Sequence, residues 1–145
     1  MDIPPWLETV VLAAGMGQLG IVVGSLTIPS VLGWKQDVAS LRPLTRQVFW
    51  TYAGYIWATN LSFALVSILA PGHLVDGSVL AACVTGFIAV YWGARVVIQF
   101  TWFDRSEAPE GAIYRFAEYT LVSLFVFLTV TYAYAAILNI WGTPA

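Results

Sequence analysis

The chain has 145 residues, of which 59% are hydrophobic and 10% are charged, and its mean hydropathy is +0.79. Soluble domains carry about 25% charged residues, so this composition indicates a protein that resides in a lipid bilayer. The net charge of −2 argues against a nucleic-acid partner, and one cysteine with one histidine excludes an internal disulfide, a Cys-rich metal site and bis-histidine haem ligation within one chain.

Four apolar segments are long enough to cross about 30 Å of hydrocarbon, which takes about 20 helical residues. They cover residues 7–32, 48–70, 78–100 and 113–140. Backbone polar groups in lipid must be satisfied within the segment, so each span is expected to be a helix. The sequence therefore predicts an all-α fold, in which residues 1–145 form a single antiparallel four-helix transmembrane bundle. Pro29 is expected to bend or end the first span.

The first span carries a stripe of small residues at alternating spacings of three and four. Its members are Ala13, Gly17, Gly20, Gly24 and Thr27, and the pair Gly20 and Gly24 is a GxxxG motif. Small residues let helix backbones approach closely, and such packing drives helix association in lipid. The stripe predicts either packing against the chain's own helices, or a homodimer or docking face for another subunit.

Two amides lie near the middle of a span: Gln18 in the first and Asn60 in the second. A polar amide in hydrocarbon seeks a partner, so one interpretation is a hydrogen bond between these two side chains that joins the first and second helices. The other interpretation is a polar lining for a pore, or for a lipid or quinone ring.

The ends of the third and fourth spans hold charged and polar side chains. The set comprises Arg95, Gln99, Arg115 and Glu118. Arg95 lies about one and a half turns from the end of its span, where its side chain can extend to the headgroup region. Because adjacent spans pack antiparallel, these residues are predicted to form one ionic cluster. It either pins the helices together or binds a headgroup, an anion or a partner.

All six basic residues fall in or beside two of the three connections between spans. They are Lys35, Arg42 and Arg46 in the first connection, and Arg95, Arg105 and Arg115 in or beside the third. With four antiparallel spans these connections share one side of the membrane. The positive-inside rule then predicts that both connections are cytoplasmic and that both termini lie outside.

The segments "LRPLTRQVFWTYAGYIWA" from Leu41 and "GFIAVYWGARVVIQF" from Gly86 carry aromatic and basic residues in a characteristic arrangement. This arrangement resembles that of small, uncharacterised bacterial four-span integral membrane proteins. The resemblance implies a bacterial inner-membrane protein with a four-helix bundle, and it implies no activity and no functional residues.

Three functional hypotheses remain at this point. The first is a non-enzymatic subunit or accessory protein that packs against another membrane component or a second copy. The second is a protein that binds or processes a lipid, an isoprenoid or a quinone, so that a bound lipid or quinone is the ligand it implies. The third is a small transporter or channel, for which no midplane carboxylate is present. No catalytic residue, metal ligand set or cofactor is predicted, and enzymatic activity is left open.

Overall fold

The computed structural model describes residues 3–103 and 111–142. Within these residues the chain forms α-helices and one 3₁₀ turn, without a β-strand. In chain order they are α1 (Trp6–Ser25), α2 (Ile28–Val31), α3 (Trp34–Ala39), α4 (Pro43–Leu69), the 3₁₀ turn (Pro71–Leu74), α5 (Val79–Thr101) and α6 (Ala112–Trp141). Four segments are long and apolar enough to cross a membrane: Trp6–Val31, α4, α5 and α6. The predicted all-α four-helix bundle is confirmed, and the chain is a multi-pass membrane protein.

Two prolines explain where the first two long helices begin and end. Pro29 lies in the first turn of α2, and the break between α1 and α2 falls just before it, at residues 26–27. Proline lacks an N–H group and its ring clashes with the carbonyl four residues earlier, so the helix is interrupted on that side. Pro43 is the first residue of α4, where proline is favoured because its missing N–H would have no partner within the helix. The helix therefore begins five residues before the predicted span.

The long helices pack as two hairpins, one of α1 with α4 and the other of α5 with α6, joined along α1 and α6. The first hairpin is close because Gly15 faces α4. A Cβ atom on Gly15 would lie 2.8 Å from the Cβ atom of Ser67. Large rings fill the wider space between α4 and α5, where Phe63 lies 5.1 Å from Tyr91 and 5.8 Å from Phe87, measured between ring centroids.

The buried core lies toward one end of this bundle, which we call the terminal side because residue 3, the 3₁₀ turn and the end of α6 meet there. We call the opposite end, with α2 and α3, the basic side. The buried residues of α4 are Phe63, Ala64 and Ser67, all in its last two turns, and no residue of α6 before Phe125 is buried. The helices therefore present mostly exposed apolar side chains on the basic side, as expected of surfaces that face lipid or another protein.

The turn between α4 and α5 is held by side-chain hydrogen bonds. Ser78 caps α5 by accepting a hydrogen bond from the Ala81 backbone N–H at 3.1 Å. The backbone N–H of Ser78 in turn donates to Asp76 at 2.9 Å, and hydrogen bonds from Ser78 hold the pKa of the Asp76 carboxyl below its usual range. From α6, the Nδ2 atom of Asn139 donates to the Leu74 carbonyl at 2.8 Å. The turn is thereby fixed to the end of the second hairpin.

Candidate functional site

The centre of the bundle contains a buried network of four polar side chains, one from each long helix. The Nε2 atom of Gln18 donates to the Tyr132 hydroxyl at 2.6 Å, and the Ser67 hydroxyl meets the same oxygen at 2.5 Å. The Nε1–H of Trp92 donates to the Gln18 Oε1 at 3.2 Å. Buried polar groups in lipid need such partners, so this network specifies how the four helices meet.

The predicted bond between Gln18 and Asn60 does not form, because Tyr132 and Trp92 take up the Gln18 amide. Asn60 instead has its side chain beside the hydroxyl of Tyr91. Its Oδ1 atom is buried and has no hydrogen-bond partner within residues 3–103 and 111–142. The two midplane amides therefore lie in different environments. Gln18 is hydrogen-bonded in the core, whereas Asn60 lies between α4 and α5.

Arg95 lies in a partly buried aromatic environment on α5. The Cζ atom of its guanidinium lies 5.2 Å from the centroid of the Phe103 ring and 5.7 Å from that of the Phe125 ring. Such contacts of a cation with ring faces are favourable by about 0.5–2 kcal/mol each. The Phe125 ring also stacks on Trp92, with centroids 5.2 Å apart. The rings thus place the guanidinium beside the buried core.

The four residues of the predicted ionic cluster are only partly brought together. The Gln99 Nε2 donates to the Glu118 Oε1 at 3.4 Å, which links α5 to α6. Arg95 contacts aromatic rings, and within the described residues it forms no ion pair with Glu118. Arg115 is exposed at the start of α6. Arg105, which contributes to the predicted orientation, lies outside the described residues.

The stripe of small residues lies on the face of α1 opposite the core. Ala13, Gly20, Gly24 and Thr27 are exposed, and a Cβ atom on Gly20 or Gly24 would have nothing within 4 Å. Gly17 lies at the edge of the stripe, where its Cβ atom would be 2.9 Å from a methyl group of Leu124. The buried face of α1 consists of Leu7, Val11, Ala14, Gly15, Gln18 and Val22. Most of the stripe is therefore left uncovered by the chain's own described helices.

Sequence reasoning missed four residues that position the site: Gly15, Trp92, Tyr132 and Asn139. Gly15 lies outside the GxxxG spacing. From sequence alone, Trp92 and Tyr132 are interpreted as apolar residues or as residues at the membrane interface. A usable signal was that buried tyrosine and tryptophan normally find a hydrogen-bond partner, and Gln18 in the first span requires one. The choice of partner depends on which helices are neighbours.

The described residues hold no group of three or more His, Cys, Asp or Glu side chains placed to bind a metal ion. Comparison with models of protein families, with curated proteins and with solved structures finds no match to this chain.

Proposed function

We propose that this protein is a non-enzymatic membrane subunit or accessory protein that packs against a transmembrane helix of a partner protein. The contact is made by the docking face, which we define as Ala13, Gly20 and Gly24 on α1 together with Thr27 just beyond its end. The observation that carries the proposal is the open space over Gly20 and Gly24, on a face turned away from the protein's own core.

The physical reason is the weakness of the hydrophobic effect between helices in lipid. Helix association there depends on close van der Waals packing and interhelical hydrogen bonds, which small residues permit by letting backbones approach. The surface over Gly20 and Gly24 is open, and the nearby side chains of Met16 and Val23 are exposed. A partner helix that approaches Gly20 and Gly24 closely gains contacts that flexible lipid chains make less well.

The test compares leucine at two sets of exposed glycines. Gly20→Leu with Gly24→Leu fills the docking face, and Gly54→Leu is the matched control. Gly54 is also exposed in a membrane-spanning helix, with nothing within 4 Å of an added Cβ atom. Native mass spectrometry after gentle extraction from the native membrane measures the mass of each assembly.

We expect wild type and Gly54→Leu to carry a second polypeptide, and the double leucine variant to lose it. A homodimer that separates in the double variant would identify a second copy as the partner and would overturn the subunit reading in favour of self-association. Retention of the partner in the double variant, or a bare wild-type chain, would refute the docking face.

We further propose that the protein resides in a bacterial inner membrane with its basic side in the cytoplasm and both termini outside. The distribution of Lys35, Arg42 and Arg46 beside α3 and the start of α4, with Arg115 at the start of α6, supports this orientation. The bacterial assignment is supported by the resemblance of the segments that begin at Leu41 and Gly86.

A further inference from the structure

The guanidinium of Arg95 has hydrogen-bond donors that meet no acceptor among the described residues of the protein. Its Cζ atom lies over the rings of Phe103 and Phe125, and a ring face attracts the positive charge but offers no oxygen acceptor for the N–H groups. Within residues 3–103 and 111–142, the Arg95 side chain donates no hydrogen bond and forms no ion pair with a carboxylate. A partly buried arginine carries five N–H donors in one plane, and leaving them without acceptors is costly.

The same face of α5 carries two more donors. Tyr91, Arg95 and Gln99 are spaced four residues apart, so they lie one above another on the helix, and all three are partly buried. Tyr91 lies one helical turn before Arg95 on this face of α5. Gln99 already donates to the Glu118 carboxylate, so Gln99 is not available to bind an anion. An anion that enters from the basic side therefore meets the Arg95 guanidinium first, and Tyr91 lies one turn deeper in the membrane.

The depth of Arg95 suits the phosphate of a membrane lipid. At a rise of 1.5 Å per residue, its Cα atom lies about 9 Å from the end of α5 at Thr101. An arginine side chain is long enough to extend from there toward the headgroup region. Phe103 follows the end of α5 and Phe125 lies at the edge of the core, so the guanidinium lies between the core and the basic end of the helix. Arginine is also well suited to phosphate, because its fork matches two phosphate oxygens.

We propose that Arg95, with Tyr91 beside it and the rings of Phe103 and Phe125 around it, binds the phosphate of an anionic phospholipid in the leaflet on the basic side. The acyl chains lie along the exposed apolar surface of the bundle. This site is on α5, whereas the docking face is on α1, so the inference goes beyond the proposed function and does not depend on it.

The experiment uses the full chain in nanodiscs of phosphatidylcholine containing phosphatidylglycerol, followed by native mass spectrometry of the retained lipid. Arg95→Gln removes the charge, and Arg46→Gln is the matched control because it makes the same charge change at an exposed site on the same side. We expect wild type and Arg46→Gln to retain phosphatidylglycerol in preference to phosphatidylcholine. Arg95→Gln is expected to lose about tenfold or more of this retention, which is the effect of removing charge-assisted hydrogen bonds.

Arg95→Lys keeps the charge and loses the fork, so it should retain an intermediate amount of phosphatidylglycerol, and it tests the proposal if Arg95→Gln fails to fold. Circular dichroism shows which variants keep their helices. Equal retention by wild type and folded Arg95→Gln, or by wild type and Arg95→Lys if Arg95→Gln does not fold, overturns the site.

Displacement of phosphatidylglycerol by inorganic phosphate would identify a site for soluble phosphate and overturn the lipid as the occupant. The two proposals can fail separately. If the docking-face proposal is wrong, the assembly masses of the leucine variants show it, and the amount of phosphatidylglycerol that the Arg95 variants retain is unaffected.

Discussion

At the scale of single residues, the Tyr132 hydroxyl is the point at which three helices meet. It receives the Gln18 amide from α1 and contacts the Ser67 hydroxyl from α4, while Tyr132 itself lies on α6. Interhelical hydrogen bonds in membrane proteins contribute about 0.6 kcal/mol on average and up to about 1.7 kcal/mol. A contact of this kind contributes modestly to stability and strongly to the choice of one helix arrangement.

Ser67 and Ser62 form a matched pair for measuring this contact. Each hydroxyl donates at 2.8 Å to the carbonyl four residues earlier on α4, and Ser67 also meets Tyr132. We expect Ser67→Ala to lower the free energy of unfolding by about 0.6–1.7 kcal/mol. Ser62→Ala, at an exposed site, should change it by less than about 0.5 kcal/mol. Equilibrium unfolding in mixed detergent micelles measures both values, and equal effects would show that the interhelical contact contributes nothing.

At the scale of helices, α1 uses glycine for two different purposes on two faces. Gly15 lets α4 approach, with the Ser67 Cβ atom 2.8 Å and the Ile68 backbone nitrogen 3.1 Å from the position of an added Cβ atom. Gly20 and Gly24 are open on the opposite side. A sequence motif for small residues cannot distinguish these faces, because it reports spacing and not which helix lies opposite.

Alanine at these glycines separates the two purposes. Gly15→Ala forces the backbones of α1 and α4 apart, and we expect it to lower the free energy of unfolding by about 1–3 kcal/mol, as overpacking does elsewhere. Gly20→Ala meets no atom, so its effect on the isolated chain should stay below about 0.5 kcal/mol. Unfolding titrations of both variants provide the measurement. A stable Gly15→Ala protein would contradict the close approach of the two helices.

At the scale of the whole molecule, the proposed orientation makes a direct prediction about labelling. A cysteine in place of exposed His73, in the 3₁₀ turn, should react with a membrane-impermeant thiol reagent added to intact cells whose outer membrane has been permeabilised. A cysteine in place of exposed Lys35, at the start of α3, should react only after the inner membrane is opened. Both are made in a Cys83→Ser background. The reverse pattern of labelling would show that the basic side faces outward.

Composition and hydropathy were sufficient to predict the all-α fold and four spans, because a chain this apolar must satisfy its backbone within helices. The helices α4 to α6 overlap the predicted spans to within a few residues, and the largest shift is at Pro43. The short helix α2 lies within the predicted first span, at the bend expected from Pro29, whereas the short helix α3 was not predicted because it lies in a connection without a long apolar pattern. Of the candidate site, the polar residues such as Gln18, Arg95 and Glu118 were predicted by residue type, whereas the aromatic partners of Gln18 and Arg95 were not.

The sequence alone therefore determined that this is a four-span helical membrane protein, and it identified the small-residue stripe and the intramembrane polar residues. Tertiary structure decided their surroundings: Gln18 meets Tyr132 and Trp92, Arg95 lies over aromatic rings, and the stripe is exposed. The physical reason is that hydropathy and helical spacing act within one segment, where chain order suffices. Contacts between helices depend on their relative rotation and neighbours, which are set by the packing of all four together.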